Sequence, residues 1–147
     1  LQSDDITMLA VKLNCLLSDD SITVSPDDNS MNLVYNFIDK KLKDLEIDKS
    51  ISSKIKLVTD EIYSNIINYS GATRAKVSFC RTDKSIYLTF FDNGKRYNPL
   101  ATESPDTSLS AKDRDEGGLG IYIVKKTASR IDYSNKDGYN ILTIVFE

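Results

Sequence analysis

The sequence predicts an α+β fold, a two-layer sandwich in which helices cover one face of a mostly antiparallel sheet. Apolar residues repeat every two positions in some segments and every three or four in others, which indicates strands and helices respectively. Most of the strands come as adjacent pairs, which favours hairpins over parallel crossovers. The chain has 147 residues, of which 40% are hydrophobic and 28% charged, enough to bury a core in one domain.

The first part of the chain is predicted to contain two short strands and a helix. Residues 5–13 are predicted to form one short apolar strand, and Ile22–Ser25 a second one that Pro26 closes. A helix follows from Asp28, with its apolar residues three and four positions apart at Met31, Val34, Ile38 and Leu42.

A second long helix follows, with Ser50 as its predicted N-cap and Ser70-Gly71 as its C-terminal signal. Its apolar stripe contains Ile51, Ile55, Val58, Ile62, Ile66 and Tyr69.

The second half alternates between strands, a long loop and one more helix. Residues 93–117 have no sustained period, and a stretch of that length inside a compact domain is usually a functional loop or lid. The regular elements are a hairpin of 74–82 with 85–92, a helix over Leu119–Arg130, and a final hairpin of Ile131–Ser134 with Asn140–Glu147.

Composition excludes several classes of site. The chain has no histidine, which rules out Ser/His/Asp and Cys/His nucleophiles, histidine zinc sites and an internal phosphohistidine. Two cysteines are too few for a disulfide framework or a four-thiolate metal site. Chemistry must therefore rest on carboxylates, amides, hydroxyls and glycine backbone, with a hard cation such as magnesium as the metal.

Charge and hydropathy predict where the protein works. A net charge of −3 argues against nucleic acid as a partner. No apolar run of 18 residues occurs, so no membrane association is expected. The N-terminus lacks the basic start and apolar middle of a signal peptide, so we expect a cytoplasmic location.

Three polar clusters are candidates for the chemistry. The first is Glu61, Asn65 and Asn68, which steps of four and three place on one helix face. A carboxylate beside an amide oxygen suits a general base next to a magnesium ligand. The alternative is the solvated edge of an amphipathic helix.

The second cluster is Asp92-Asn93-Gly94, at the end of a predicted strand. An aspartate there can accept a hydrogen bond from a buried ring amine, and Gly94 allows close backbone approach to a flat ligand. The alternative is an Asn-Gly turn that only ends the strand.

The third cluster is Gly117-Gly118-Leu119-Gly120, which opens the last helix. Free N–H groups and the helix dipole there suit phosphates, although the pattern is neither a Walker motif nor a dinucleotide fingerprint. The alternative is a flexible hinge.

Together the clusters resemble the GHKL (Bergerat-fold) ATP-binding superfamily, and most closely its anti-sigma factor serine kinase branch. Residues 61–65 (EIYSN) resemble the N box, 92–94 (DNG) the G1 box and 117–120 (GGLG) the G2 box. The resemblance covers residues 21–147, which are interpreted as a histidine kinase-like ATP-binding domain.

This resemblance implies ATP and Mg²⁺ as cofactors. It implies that Glu61 is the general base, that Asn65 is the magnesium ligand and that Asp92 contacts the adenine amino group. The residues expected to bind the cofactor are Asn65, Asn68, Asp92, Gly94, Gly118, Leu119 and Gly120. Arg96, where the G1 box often has a second glycine, and Asn140, where the last strand often has Gly-Thr, depart from the family pattern.

The resemblance also implies a serine/threonine protein kinase that regulates a bacterial sigma factor. Its substrate would be a serine of an anti-anti-sigma (STAS-type) protein, its second partner the sigma factor, and homodimers are suggested. One alternative is a non-catalytic ATP-binding module for partner switching. Another is the catalytic domain of a sensor histidine kinase whose phosphoacceptor histidine lies on a different segment.

Residues 2–11, within an N-terminal segment of residues 1–20, resemble the closing strand of PPM-type serine phosphatases, through Asp4-Asp5-Ile6-Thr7. This stretch is interpreted as the remnant of an upstream phosphatase domain in a phosphatase–kinase fusion. The alternative is a plain strand added to the domain's own sheet.

Overall fold

A computed structural model describes residues 20–101 and 118–147. Its strands are β1 (Ser21–Val24), β2 (Ala75–Arg81), β3 (Ile86–Asp92), β4 (Arg130–Lys136) and β5 (Tyr139–Phe146). Its helices are α1 (Asp28–Asp44), α2 (Lys49–Asn65) and α3 (Gly118–Thr127), with a π-helical segment at Ile66–Ser70 and a 3₁₀ turn at Pro99–Ala101.

The strands form one antiparallel sheet in the order β1-β2-β3-β5-β4. The β2–β3 and β4–β5 pairs are the two predicted hairpins. Asp137 and Gly138 connect the second hairpin with φ of 53° and 80°, the positive values that a two-residue hairpin turn requires. The α+β prediction is confirmed, and within the described residues every strand pair is antiparallel.

The main core lies between one face of the sheet and the helices. Val34 and Ile38 of α1 and Ile55 and Val58 of α2 are fully buried there. The sheet contributes Val77, Phe79, Leu88, Phe90, Leu142, Ile144 and Phe146. The apolar stripes of the helices therefore pack against every second residue of the strands, which all point to one face of the sheet, as two-layer packing requires.

Hydrogen bonding fixes the start of each long helix. Asp27 caps α1 in a capping box, accepting from Ser30 N at 2.8 Å while Asp27 N donates to Ser30 Oγ at 3.0 Å. The predicted N-cap of α2 at Ser50 is wrong, because Asp48 caps the helix and accepts from Ser50 N at 2.7 Å. An aspartate two residues earlier satisfies the free N–H groups instead.

Several predictions fall outside the described residues. They are the strand over residues 5–13, the phosphatase-like stretch, most of the predicted lid and Gly117. In the described ranges, 20–101 and 118–147, no helix is both long and apolar enough to cross a bilayer.

Candidate functional site

The polar face of α2 opens into a cavity of about 280 Å³ against the start of α3. Two turns of α2 and the π-helical segment form one wall, because steps of three and four bring their polar residues to one side. The lining residues are Glu61, Ser64, Asn65, Asn68, Tyr69, Leu119, Gly120 and Ile123.

The π-helical segment changes the direction of the side chains that follow α2. Tyr69 is predicted from its spacing to continue the apolar core stripe, but it is 61% exposed and lines the cavity. The i→i+5 pattern inserts an extra residue per turn and so rotates Tyr69 out of the helical phase. The segment ends at Gly71, whose φ of 65° forms the predicted C-terminal stop.

Gly120 lies directly against the carboxylate of Glu61. A Cβ at position 120 would lie 2.3 Å from Glu61 Oε2, far inside van der Waals contact. The absence of a side chain at Gly120 therefore lets the start of α3 approach the carboxylate on α2, and this contact joins the first and third polar clusters.

The surroundings of Glu61 make its carboxyl harder to ionise than a carboxyl in water. Burial raises the pKa of the Glu61 carboxyl, and the charge of neighbouring Asp60 raises it further. Asp60 itself accepts a hydrogen bond from the Tyr35 hydroxyl of α1. Burial and Asp60 together raise the pKa of Tyr35 to about 12. A carboxylate with a raised pKa beside a cavity is a candidate general base.

The second cluster ends β3 and touches the π-helical segment. Gly94 N donates to Asp92 Oδ1 at 2.9 Å, and Lys95 N donates to the Ser70 carbonyl at 2.8 Å. A Cβ on Gly94 would lie 2.4 Å from that same carbonyl. Gly94 is thus required for the loop to pack against the segment that carries Asn68.

The predicted site residues come together only in part. Glu61, Asn65, Asn68, Leu119 and Gly120 share the cavity, and Gly118 begins α3.

Asp92 and Gly94 do not line the cavity. Gly94 lies against Ser70, the residue that follows Tyr69 of the cavity wall, and Asp92 Oδ1 accepts from Gly94 N. Asn93 is a structural residue, since its Oδ1 accepts from Thr73 N and Arg74 N at 2.9 Å each.

Sequence reasoning missed three lining residues, Ser64, Tyr69 and Ile123. The helical spacing was a usable signal for two of them, because Ser64 and Ile123 lie three positions after Glu61 and Gly120. Tyr69 gave no such signal, since its place depends on the π-helical segment.

The donor set fits a magnesium nucleotide. No group of three acidic, cysteine or histidine side chains able to hold a metal occurs in the part of the chain that the structure describes. The cavity instead offers amide oxygens at Asn65 and Asn68 beside one carboxylate. Magnesium is commonly held in this way, by few protein oxygens together with the phosphates of its substrate.

Comparison with known proteins agrees with this geometry. Residues 24–146 match the model of the histidine kinase-like ATPase domain. The chain is 29% identical over 92 residues to the serine/threonine-protein kinase BtrW of Bordetella bronchiseptica. That match covers 60% of this chain and 65% of BtrW, so the chain spans slightly less than two thirds of this relative.

Two solved structures share the fold. The SiaB–SiaC complex of Pseudomonas aeruginosa superimposes with a TM-score of 0.65 at 14% identity, covering 99% of this chain and 100% of the matched one. The RsbU and RsbW domains of a Mycobacterium tuberculosis protein give a TM-score of 0.62 at 13% identity, covering 86% of this chain and 32% of that one.

Proposed function

The chain belongs to the family of histidine kinase-like ATPase domains, and on this basis we propose that it is an ATP-dependent protein serine kinase. Family membership implies ATP binding. The kinase relative BtrW and the surroundings of Glu61 support the choice of a protein serine as acceptor.

The contact between Glu61 and Gly120 is the observation that carries the proposal. It brings the half-buried Glu61 carboxylate, whose pKa is raised, against the glycine-rich start of α3. Glu61 Oε2 lies 2.3 Å from the point where a Cβ on Gly120 would be. The general base must lie close to both the attacking hydroxyl and the phosphoryl group, and the Glu61–Gly120 contact provides this proximity. Phosphoryl transfer depends mainly on such positioning and on charge stabilisation.

Each residue of the site has a distinct role in this proposal. Glu61, once ionised, accepts the proton of the attacking serine hydroxyl. Asn65 and Asn68 would hold the magnesium and phosphate end, where a bound ion would supply neutralisation of phosphate charge. The free N–H groups at the start of α3, around Leu119 and Gly120, donate to phosphate oxygens. Asp92 accepts from an exocyclic amine of the base.

The partner class rests on the resemblance to anti-sigma factor kinases. We propose that the acceptor is a serine of an anti-anti-sigma (STAS-type) protein and that the unphosphorylated acceptor releases a sigma factor held by this chain. A homodimer is the proposed assembly. Co-purification of the chain with a sigma factor, and its loss when the acceptor protein is added, would test the partner-switching step.

Glu61→Gln tests the enzymatic proposal directly. The amide keeps the shape of the side chain but cannot take a proton, so phosphoryl transfer should fall by about 10²–10⁴-fold. Affinity for Mg-ATP, measured by calorimetry, should stay within about twofold, because the base is not needed for binding.

Lys126→Ala, exposed in the last turn of α3 and outside the cavity lining, is the control and should keep full activity. Transfer of radioactive phosphate from ATP to the acceptor protein is the readout. If the wild type binds ATP but never labels the acceptor, the chain is a non-catalytic switching module instead of a kinase.

A further inference from the structure

We infer that Asn140 is a positioning residue that aims the Asp92 carboxylate at the nucleotide base and thereby sets the preference for adenine. This inference rests on the proposed function. Asn140 lies on β5, outside the three polar clusters and outside the cavity, and the family pattern has Gly-Thr in this part of the last strand.

The register of the sheet places Asn140 at the centre of a polar row. It is the direct partner of Asp92 on β3 and of Asn135 on β4. Asp92 and Asn140 are buried, with 8% and 6% exposure. Directly opposed side chains on antiparallel strands lie close enough to bond to each other.

The amide nitrogen of Asn140 holds the end of β3 and the loop that follows it. Asn140 Nδ2 donates to Asp92 Oδ1 at 3.1 Å and to the Lys95 carbonyl at 2.8 Å. These two bonds use both of its donor hydrogens. The same side chain therefore fixes the carboxylate and the loop that contains Gly94.

The amide oxygen of Asn140 is held from the other side by three donors. Tyr133 Oη donates to Asn140 Oδ1 at 2.8 Å, and Tyr97 N and Asn135 Nδ2 each donate at 3.2 Å. A side chain with partners at both ends of its amide has one orientation available, so Asn140 is a rigid support for Asp92.

These bonds leave Asp92 with one oxygen committed and one available. Asp92 Oδ1 accepts from Gly94 N at 2.9 Å as well as from Asn140. Within residues 20–101 and 118–147, Oδ2 of Asp92 accepts from no side chain or backbone group. Every fully buried side-chain oxygen in these residues has a hydrogen-bond partner, so Oδ2 is not fully buried. Oδ2 is therefore reachable and acts as an acceptor only. It can bond to the exocyclic amine of adenine and repels the carbonyl oxygen that guanine has at the same position.

Asparagine suits this position better than the similar residues. Threonine has one donor and could not hold both Asp92 and the Lys95 carbonyl. Aspartate would place a second carboxylate 3.1 Å from Asp92 and would have no donor at neutral pH.

Asn140→Ala and Asn140→Asp test the inference. For each variant we would measure binding of Mg-ATP and Mg-GTP by calorimetry and the KM and kcat of phosphoryl transfer. We expect ATP affinity to fall by about tenfold or more, as for loss of a hydrogen bond to a charged group. The ratio of ATP affinity to GTP affinity should also fall, and the KM for ATP should rise. The kcat at saturating ATP should stay within about twofold of wild type because Glu61 is unchanged.

Ser134→Ala is the matched control. Ser134 lies on the same strand as Asn135 but pairs with Ile141 and not with Asn140, so ATP affinity and base preference should stay within about twofold of wild type. Asn140→Asp keeps the volume of the side chain, so it remains informative if Asn140→Ala fails to fold.

A measurement without nucleotide separates this inference from the proposed function. The Gly94 amide donates to Asp92 Oδ1, so its hydrogen exchange should become faster in Asn140→Ala and not in Ser134→Ala. Unchanged Gly94 exchange in Asn140→Ala, or an unchanged ATP-over-GTP preference in a folded variant, would overturn the inference. If the wild type binds no ATP, the proposed function fails and Gly94 exchange alone decides whether Asn140 holds Asp92.

Discussion

A methyl group at position 120 would occupy space that the Glu61 carboxylate already fills, since the added Cβ would lie 2.3 Å from Oε2. Gly120→Ala should therefore displace the carboxylate and lower phosphoryl transfer by about 100-fold, the effect expected of a shift of about 1 Å in a reacting group. The measurement is the rate of labelling of the acceptor protein at saturating ATP.

Gly71→Ala is the comparison for that variant. Gly71 has a φ of 65° and no atom within 4 Å of an added Cβ, so alanine there costs about 1–2 kcal/mol of stability through backbone strain. It should leave the rate of transfer unchanged at a temperature where the protein is folded. Equal activity in Gly120→Ala and Gly71→Ala would contradict the assigned role of the Glu61–Gly120 contact.

The raised pKa of Glu61 determines the pH dependence that we expect. Burial and Asp60 disfavour the ionised form, and only that form can accept a proton. Activity should therefore be lost on acidification at a pH above the ordinary glutamate pKa of 4.5. Asp60→Asn removes the negative charge that, together with burial, raises the pKa of Glu61. The acidic limb of the pH–activity profile should therefore lie at lower pH in this variant than in the wild type.

The profile of kcat against pH measures this limb in both proteins. An acidic limb at higher pH in Asp60→Asn than in the wild type would contradict the electrostatic assignment.

Among single residues, the sequence predicted those whose positions follow from local geometry. Glu61 and Asn65 share a face because four residues make about one helical turn. Asn140 depends on the pairing of strands whose partner residues lie 48 positions apart, and no local pattern predicts which side chain will face Asp92.

At the scale of elements, the start of α1 is tied to α2 by one buried hydroxyl pair. Ser30 takes part in the capping box and also bonds Tyr63 Oη at 2.7 Å. The two residues are 3% and 0% exposed. Loss of the Ser30 hydroxyl would weaken the cap and leave a buried tyrosine hydroxyl without this partner.

Ser30→Ala should lower the free energy of unfolding by about 2 kcal/mol, combining a lost cap bond with an unsatisfied buried group. Asp27→Ala, which removes the cap and leaves the Ser30–Tyr63 bond in place, should cost about 1 kcal/mol. Urea unfolding of both variants checks the difference. A smaller loss in Ser30→Ala than in Asp27→Ala would contradict it.

Helix and strand positions followed well from apolar periodicity, while the irregular features did not. Val34, Ile38 and Leu42 of α1 are buried as the stripe predicts, while Met31 of the same stripe is half-buried. The π-helical segment at Ile66–Ser70 does not follow from apolar periodicity, and the Ser70 carbonyl at its end accepts from Lys95 N of a distant loop.

For the whole molecule, nucleotide binding should raise the free energy of unfolding. A ligand that binds only the folded state adds about 2.7 kcal/mol at a concentration 100 times its dissociation constant. Mg-ATP should therefore raise the midpoint of thermal unfolding by several degrees. Scanning calorimetry in the presence of Mg-ATP, and of Mg-GTP as the comparison, is the measurement. An unchanged midpoint at millimolar Mg-ATP would contradict nucleotide binding.

The architecture was predictable as far as neighbouring strands determine it. Both hairpins follow from strands adjacent in sequence, and so does the α+β class. The insertion of β5 between β3 and β4 was not part of the prediction, because it is a pairing between distant segments that the residues of either strand do not specify on their own.

That insertion makes the candidate site sensitive to the turn between β4 and β5. Asp137 and Gly138 adopt positive φ and so determine which β5 residue faces Asn135 and Asp92. Because side chains alternate along a strand, a slip of one residue would send Asn140 to the opposite face and bring a neighbouring side chain into its place. An insertion or deletion in this turn would thus disturb the proposed nucleotide site, although every residue of the cavity would still be present.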